Sequence, residues 1–394
     1  MHMLKKTLAA LVLISSFYIV ALIMIDVRSF TNLAVPFIAE KEEQVSSACE
    51  YQQGIEYLYY EDSEWNKNNK FGLYIYAEEA NFFEIAQNLA NSNGGDWGYV
   101  LIPFNVKDRD VAKWERVFEQ LRNKHLIPII QLWDIDTKDY QEQTKDSAKF
   151  LDSFVWPIKE RYISAYNEPN SADFWYGYID PVEYAQILDY TIIAFKEVDE
   201  AFFVMNGAFN VSASTDNRHQ DSFVYIRKMN EAFPGIFERL DGWASHSYPQ
   251  PNFSGDPDNT GRYSIRAYEE ELEFLHEELS VEKELPVFIT ETGWAHAEGE
   301  GYNATYYGLD TVADYFETAY EDVWLEDDRV RAVTPFTIKY AEPFDHFSWV
   351  NKDDVPYKQY ETIKDMKKEA GNPPSIKVGT IGIECPQETP QQKQ

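Results

Sequence analysis

The chain has 394 residues, 44% apolar and 16% aromatic, which suits a large packed core and excludes a disordered polymer. Its 35 basic and 67 acidic residues leave a net charge of −32, a surface that repels nucleic acid, whose binding needs Lys and Arg against phosphates. Two cysteines, Cys49 and Cys385, are too few for a Cys-rich zinc module or a disulfide-dense scaffold; they flank the main body and are either one clasp between the termini or two unrelated thiols.

At the amino terminus, Lys5 and Lys6 precede an uncharged run over 7–25, "TLAALVLISSFYIVALIMI", closed by Asp26. At a helical rise of about 1.5 Å per residue this run nearly crosses a bilayer core. Its length and the lack of a small-residue cleavage site directly after it favour a signal anchor over 1–26, with a cleaved signal as the second reading. The lysines keep the amino terminus in the cytoplasm and place the rest outside, so the chain is expected to be membrane-anchored through this helix, or secreted if the segment is removed. Residues 27–68 read as a polar stalk, and 371–394 as a Pro-, Gly- and Gln-containing tail with one short strand near 376–383.

Between these ends, over 69–370, apolar β-prone runs alternate with helical patterns. The predicted strands are 71–76, 97–104, 126–133, 162–168, 202–208, 240–248, 286–294 and 331–338. The predicted helices lie near 78–92, 109–124, 145–160, 181–198, 220–232, 264–280, 310–325 and 357–369. Asp180 and Pro181 mark a helix start as N-cap and first-turn proline. Eight such units predict an α/β protein with a parallel sheet closed into a single (β/α)8 TIM barrel. A doubly wound open sheet competes, but the first strand–helix turn, "YAEEANFF", has no glycine and hence no dinucleotide or phosphate cradle. No cofactor is expected.

In such a barrel, chemistry sits at the carboxyl ends of the strands. Those ends offer Phe104 and Asn105, then Gln131 and Trp133, then Asn167 and Glu168 in "ISAYNEPN". They continue with Asn206, with His246 and Tyr248 in "SHSYP", with Glu291 in "FITETGW", and with Phe336 and Lys339, Trp349 lying beyond. Two glutamates facing one cleft suit cleavage of a glycosidic bond, one protonating the leaving oxygen while the other attacks or activates water. Carboxyl groups about 5–5.5 Å apart leave room for direct attack, and about 6.5–9.5 Å for a water. Trp97, Trp133, Trp294 and Trp349 are candidate platforms for a sugar; Asn167, His246 and Tyr248 are candidate hydrogen-bonding groups. His219, His296 and His346 lack metal-ligand spacing and read as exposed surface, and no metal is expected.

These motifs, in this order, resemble clan A of the retaining (β/α)8 glycoside hydrolases, which includes cellulases, β-glucanases and β-xylosidases. "AYNEP" is similar to the clan's fourth-strand signature, "ITETGW" to its seventh-strand nucleophile segment, and "SHSYP" to the His-x-Tyr after the sixth strand. The resemblance implies Glu168 as acid/base, Glu291 as nucleophile, and Asn167 on the sugar 2-hydroxyl. It also implies Tyr248 orienting Glu291, His246 lining the subsite, and a tryptophan beneath it, for which Trp349 is the nearest candidate. The clan's arginine near the end of strand two has no counterpart nearer than Arg109, and Phe336 stands where a tryptophan is usual. The expected activity is retaining hydrolysis of an extracellular or envelope β-linked polysaccharide or oligosaccharide. A transglycosylase with the same site, or a carbohydrate-binding surface protein without turnover, is the alternative.

Overall fold

A computed structural model of the chain describes residues 55–77 and 79–381. The predicted anchor over 1–26, Cys49 and Cys385 lie outside the described residues. Among the described residues no helix is long and apolar enough to cross a membrane.

In chain order the described elements are β1 (Ile55–Tyr60), β2 (Gly72–Tyr74), α1 (Ala80–Ala90), β3 (Gly98–Asn105), α2 (Val111–Asn123), β4 (Leu126–Trp133) and α3 (Tyr140–Asp152). They continue with β5 (Arg161–Asn167), α4 (Pro181–Val198), β6 (Phe202–Ala208), α5 (Ser222–Ala232), β7 (Trp243–His246) and α6 (Ala267–Leu279). The last are β8 (Val287–Glu291), α7 (Leu309–Ala319), β9 (Val330–Val333), α8 (Lys358–Asp365) and β10 (Ile376–Ile381). The helix expected over 145–160 starts earlier, at Tyr140, and stops at Asp152, because Pro157 cannot continue a helix and Trp156 turns inward to donate from Nε1 to the Leu151 carbonyl (2.9 Å). Helix starts follow local chemistry: the Asp180 carboxylate accepts from the N–H groups of Val182 and Glu183, and Asp221 from those of Phe223 and Val224.

Strands β2 to β9 are parallel wherever they pair, but they do not form one continuous ladder. They fall into a five-stranded sheet, β2-β3-β4-β5-β6, and a three-stranded sheet, β7-β8-β9. At the two seams isolated parallel bridges bring the edges together, Met205 with Gly242 and Asn210 with His246 at one and Phe71 with Val333 at the other. Asn206 reinforces the first seam: its Nδ2 donates to the Ala244 carbonyl (2.9 Å) and its Oδ1 accepts from the Ala244 N–H (3.0 Å). Fully buried, Asn206 is thus a strand clamp and not a cleft residue as its strand-end position suggested.

Alternation along the strands separates two apolar sets. Val100, Ile102 and Phe104 of β3 join the larger core between strands and helices, with Leu121, Leu188, Phe195 and Phe316. Tyr99 and Leu101 join a second cluster to which all eight parallel strands contribute, including Tyr74, Ile129, Tyr162, Met205, Ala244, Phe288 and Ala332. Its aromatics interlock, with the ring centroids of Tyr162 and Phe288 4.9 Å apart. Beside the sheet, β1 and β10 form a two-stranded ribbon, so 55–60, read as stalk, and 376–381, read as tail, are paired structure. The Asn372 side chain ties 64–67 to the same unit, accepting from the Lys67 N–H (2.8 Å) and donating to the Glu64 carbonyl (3.0 Å).

Candidate active site

The end of β5 explains "ISAYNEPN". Through Ala165 the strand alternates regularly, but Tyr166 has φ 79° and Glu168 φ 38°, left-handed values costly for side chains with a Cβ. Tyr166 therefore turns outward, packing against Trp175 with ring centroids 5.8 Å apart. Asn167 and Glu168 are left at the sheet end, where the Glu168 N–H still donates to the Ala208 carbonyl (2.9 Å). Gly207 permits this, since a Cβ there would meet the Ala165 carbonyl oxygen at 2.5 Å. Beyond, the fully buried Asn170 side chain donates to the carbonyls of Asn210 and Gln220 (2.9 Å each) and fixes the loop that carries Glu168.

Strands β7 and β8 bring the opposing groups. Their register slips between Ser245 and His246, so that Ser245 opposes Ile289 and His246 opposes Glu291, a bulge that re-aims the histidine. His246 Nδ1 lies 2.9 Å from Glu168 Oε1, and Nε2 lies 3.7 Å from Glu291 Oε1. One donor atom from each of Glu168, His246 and Glu291 falls within 4.8 Å of the others, so each glutamate presents an oxygen within 4.8 Å of its counterpart. These donor types also suit a cation, although the histidine already spends Nδ1 on Glu168. The Tyr248 hydroxyl donates to Glu291 Oε2 (3.1 Å).

The electrostatics follow from enclosure. Burial pushes the Glu291 carboxyl up to about 7; the Glu168 charge adds to this, while His246 and the Tyr248 hydrogen bond pull the other way. For His246 burial opposes protonation, but facing Glu291 and the Glu168 hydrogen bond outweigh it and the imidazole is raised. Burial, then the charges of Glu291 and Glu168, hold the Tyr248 hydroxyl well above its ordinary value, so it stays a donor.

The structure brings together Glu168, Glu291, His246, Tyr248 and Asn167, the last accepting from Gln131 Nε2 (3.2 Å). That bond commits the carbonyl end of the Asn167 amide to the protein and leaves its amino end for a ligand hydroxyl. Trp133, at the end of β4, is 48% exposed and free to stack. Trp294 and Trp349 are not platforms: each is 1% exposed and packed under α7 against Phe316, at ring distances of 5.0 and 4.9 Å. Gly293, at φ 141°, lets the chain fold back after Glu291, and Trp294 Nε1 donates to the Gly255 carbonyl (2.7 Å). Trp97 lies at the opposite strand end, stacked on His125 at 4.3 Å.

Other residues also depart from expectation. Lys339 pairs with Asp354 (2.5 Å), and Arg109 is turned away onto Ser147 and Phe150, so neither approaches the glutamates. His296 is fully buried, its Nε2 against the Ser348 carbonyl (2.8 Å), and burial lowers its pKa. His346 is partly buried, its Nδ1 2.9 Å from the His296 carbonyl. Sequence reasoning missed Tyr74 and Tyr76, although tyrosines two apart in "FGLYIY" share one strand face. Tyr74 donates to Gln131 Oε1 (3.3 Å), and Phe336 packs edge-on against its ring at 5.2 Å in place of the expected tryptophan.

No protein-family model and no curated protein matches the chain. Solved structures do. A glucosidase from Croceicoccus marinus superposes with TM-score 0.52 at 12% identity, over 78% of this chain and 69% of that one. A β-glucanase from Saccharophagus degradans gives 0.47 at 14% over 84% and 98%. A β-glucuronidase from Ruminococcus gnavus gives 0.48 at 14% over 79% of this chain and 52% of that one, so the chain spans about half that enzyme's length. These neighbours are glycoside hydrolases, and what the Croceicoccus likeness establishes is a shared fold.

Proposed function

We propose that the protein is a retaining β-glycoside hydrolase, its catalytic unit a (β/α)8 barrel closed through the two seams. The observation that carries this reading is the placement of Glu168 and Glu291 at two strand ends, with an oxygen of each within 4.8 Å of the other. That spacing fits direct attack better than the wider gap an intervening water needs. Glu291 attacks the anomeric carbon while the leaving oxygen takes a proton from Glu168. Glu168 then deprotonates a water that displaces Glu291 and releases the sugar.

His246 makes the required protonation pattern accessible. With two protons shared among the three groups, Glu168 is the donor to Nδ1, Nε2–H faces Glu291, and Glu291 is ionised. Moving one proton across the 2.9 Å contact converts this form into imidazolium between two carboxylates. A third proton, taken up as pH falls through about 7, lands on Glu291 and removes the nucleophile. Tyr248 counters this by donating to the ionised form.

Exposed aromatics support a chain-like carbohydrate as substrate: Trp133 beside the site, Tyr176 and Tyr178 beyond β5, and Tyr340 and Phe344 beyond β9. The uncharged run behind Lys5 and Lys6 supports anchorage with the barrel outside the cytoplasm, and protease access to the barrel on intact cells tests that placement. Activity is tested on β-linked glucans and aryl β-glycosides, with Glu291→Ala as control. Turnover by the wild type and none by the variant is expected. Binding without turnover that survives Glu291→Ala sinks the hydrolase reading, and transfer to added sugar acceptors in preference to water identifies a transglycosylase.

A further inference from the structure

A third carboxyl lies behind the site. Glu271, on α6, is fully buried, a position that costs several kcal/mol for an unpaired charge. Among the described residues no salt bridge is formed by it. Its Oε2 accepts from Ser245 Oγ (2.5 Å), and Ser245 Oγ also lies 2.9 Å from Ser247 Oγ. Ser247 is held in turn: its Oγ accepts from the Tyr268 N–H (3.3 Å) and its carbonyl from Thr292 Oγ1 (2.6 Å). Glu271 Oε1 and the nearby Trp243 Nε1 have no hydrogen-bond partner among the described residues.

Ser245 is the residue at which the β7–β8 register slips, so the carboxyl grips the bulge from the helix side. Across that bulge stands His246, with one ring nitrogen toward each glutamate. We propose that Glu271 is a positioning residue for the two-glutamate site: through Ser245 it pins the bulge in β7 that sets His246 between Glu168 and Glu291. A hydrophobic residue at 271 would pack without a desolvation penalty, so plain core packing does not account for a carboxyl there.

The charged and titratable groups around Glu271 agree with this role. Burial pushes its carboxyl up to about 7; the Ser245 hydrogen bond, the nearby Trp243 N–H and the charges of His246 and Arg262 act in the opposite sense. Arg262 is committed elsewhere, to Asp221 (2.8 Å) and the Val211 carbonyl (3.1 Å). His246 is therefore the cationic group that Glu271 can act upon, and ionised Glu271 favours the imidazolium.

The test has two arms, of which only the kinetic one rests on the glycosidase reading. In the first, the His246 ring nitrogens of the full chain are followed by ¹⁵N NMR against pH, with His246→Gln identifying the resonances. Glu271→Gln removes a negative charge facing the imidazole, so the His246 midpoint is expected to fall by about half a unit or more. Ser245→Ala is expected to broaden the same lines, because the ring loses its fixed seat. In the second arm, Ser245→Ala and Glu271→Leu lower kcat by about 10- to 100-fold with KM within about twofold. Glu271→Gln, which still accepts from Ser245, recovers most of that loss. If Glu271→Leu fails to fold, Ser245→Ala carries the arm alone. His246 titrating as in the wild type in both Ser245→Ala and Glu271→Gln overturns the proposal. A wild type that cleaves no glycoside disposes of the function reading and leaves the NMR arm to decide this one.

Discussion

The five-stranded ladder, β2 to β6, and the three-stranded ladder, β7 to β9, are built from the same kind of short, buried apolar run, yet they differ in regularity. In the first, β3 and β4 pair through eight consecutive residues, from Gly98 with Leu126 to Asn105 with Trp133, and left-handed residues follow at strand ends, Asp134 after β4 and Tyr166 and Glu168 closing β5. In the second, both pairings slip, between Ser245 and His246 and between Val287 and Phe288. The regular half is a frame that delivers Glu168 and the Tyr74–Gln131–Asn167 relay to fixed points. The irregular half aims, turning His246 and Glu291 toward that frame. Extended pairing holds a group still but cannot choose its direction; a bulge chooses direction and needs support from behind, which Ser245, Ser247 and Glu271 supply.

The comparison breaks most sharply at the groups each half contributes. Glu291→Ala is expected to lower kcat on the order of 10⁵-fold, as loss of a covalent nucleophile does, and Glu168→Ala by about 10²- to 10⁴-fold. Single-turnover assays on an aryl glycoside with a poor leaving group read both. The seam between the halves comes next. Asn206→Ala leaves both Ala244 backbone groups unpaired in the interior, which costs about 2–3 kcal/mol and lowers Tm without changing KM. Urea unfolding checks it. A loss confined to kcat, at unchanged stability, would mean that the seam residue belongs to the site after all.

Tyr248→Phe removes the donor to Glu291, worth about 1.5–3 kcal/mol against a charged acceptor, or roughly 10- to 150-fold in kcat/KM. It also moves the acid limb of the pH–rate profile upward, because that hydrogen bond lowers the Glu291 pKa. The wild-type kcat/KM itself is expected to fall as pH drops through about 7. The same raised pKa has a stability consequence. The native Glu291 binds its proton more tightly than the unfolded one, with its ordinary value of 4.5, so stability contributed here is lost as pH rises from that value through about 7. Glu291→Gln is therefore expected to gain Tm relative to the wild type between pH 5 and pH 8, and a constant difference across that range would contradict the burial argument. Smallest is Trp133→Ala on the frame's rim: about 1 kcal/mol, or roughly fivefold in KM on a polysaccharide, with Tm unchanged.

Much of this was legible in the sequence because parallel strands buried on both faces are short continuous apolar runs, and their ends are where polar residues interrupt. Glu168 and Glu291 stand out for that reason, as do Asn167, His246 and Tyr248. What the sequence hides is direction. Trp294 follows Glu291 by three positions and reads as a cleft residue, but the left-handed Gly293 sends it beneath α7. Trp349 meets the same Phe316 from a distant loop. Asn206 and Glu271 are polar residues in buried elements, and their partners, Ala244 and Ser245, come from strands whose neighbours only the tertiary fold decides. The strand near 376–383 was legible, but β1 and its pairing with β10 were not, because strands more than 300 residues apart leave no local pattern.

The most direct test of the central claim is to trap the glycosyl-enzyme with a 2-deoxy-2-fluoro aryl β-glycoside and locate the label by peptide mass spectrometry. One sugar per chain is expected, ester-linked to Glu291 in the peptide carrying "FITETGW". A label on Glu168 or elsewhere, or turnover that inverts the anomeric centre without any trapped ester, would contradict it.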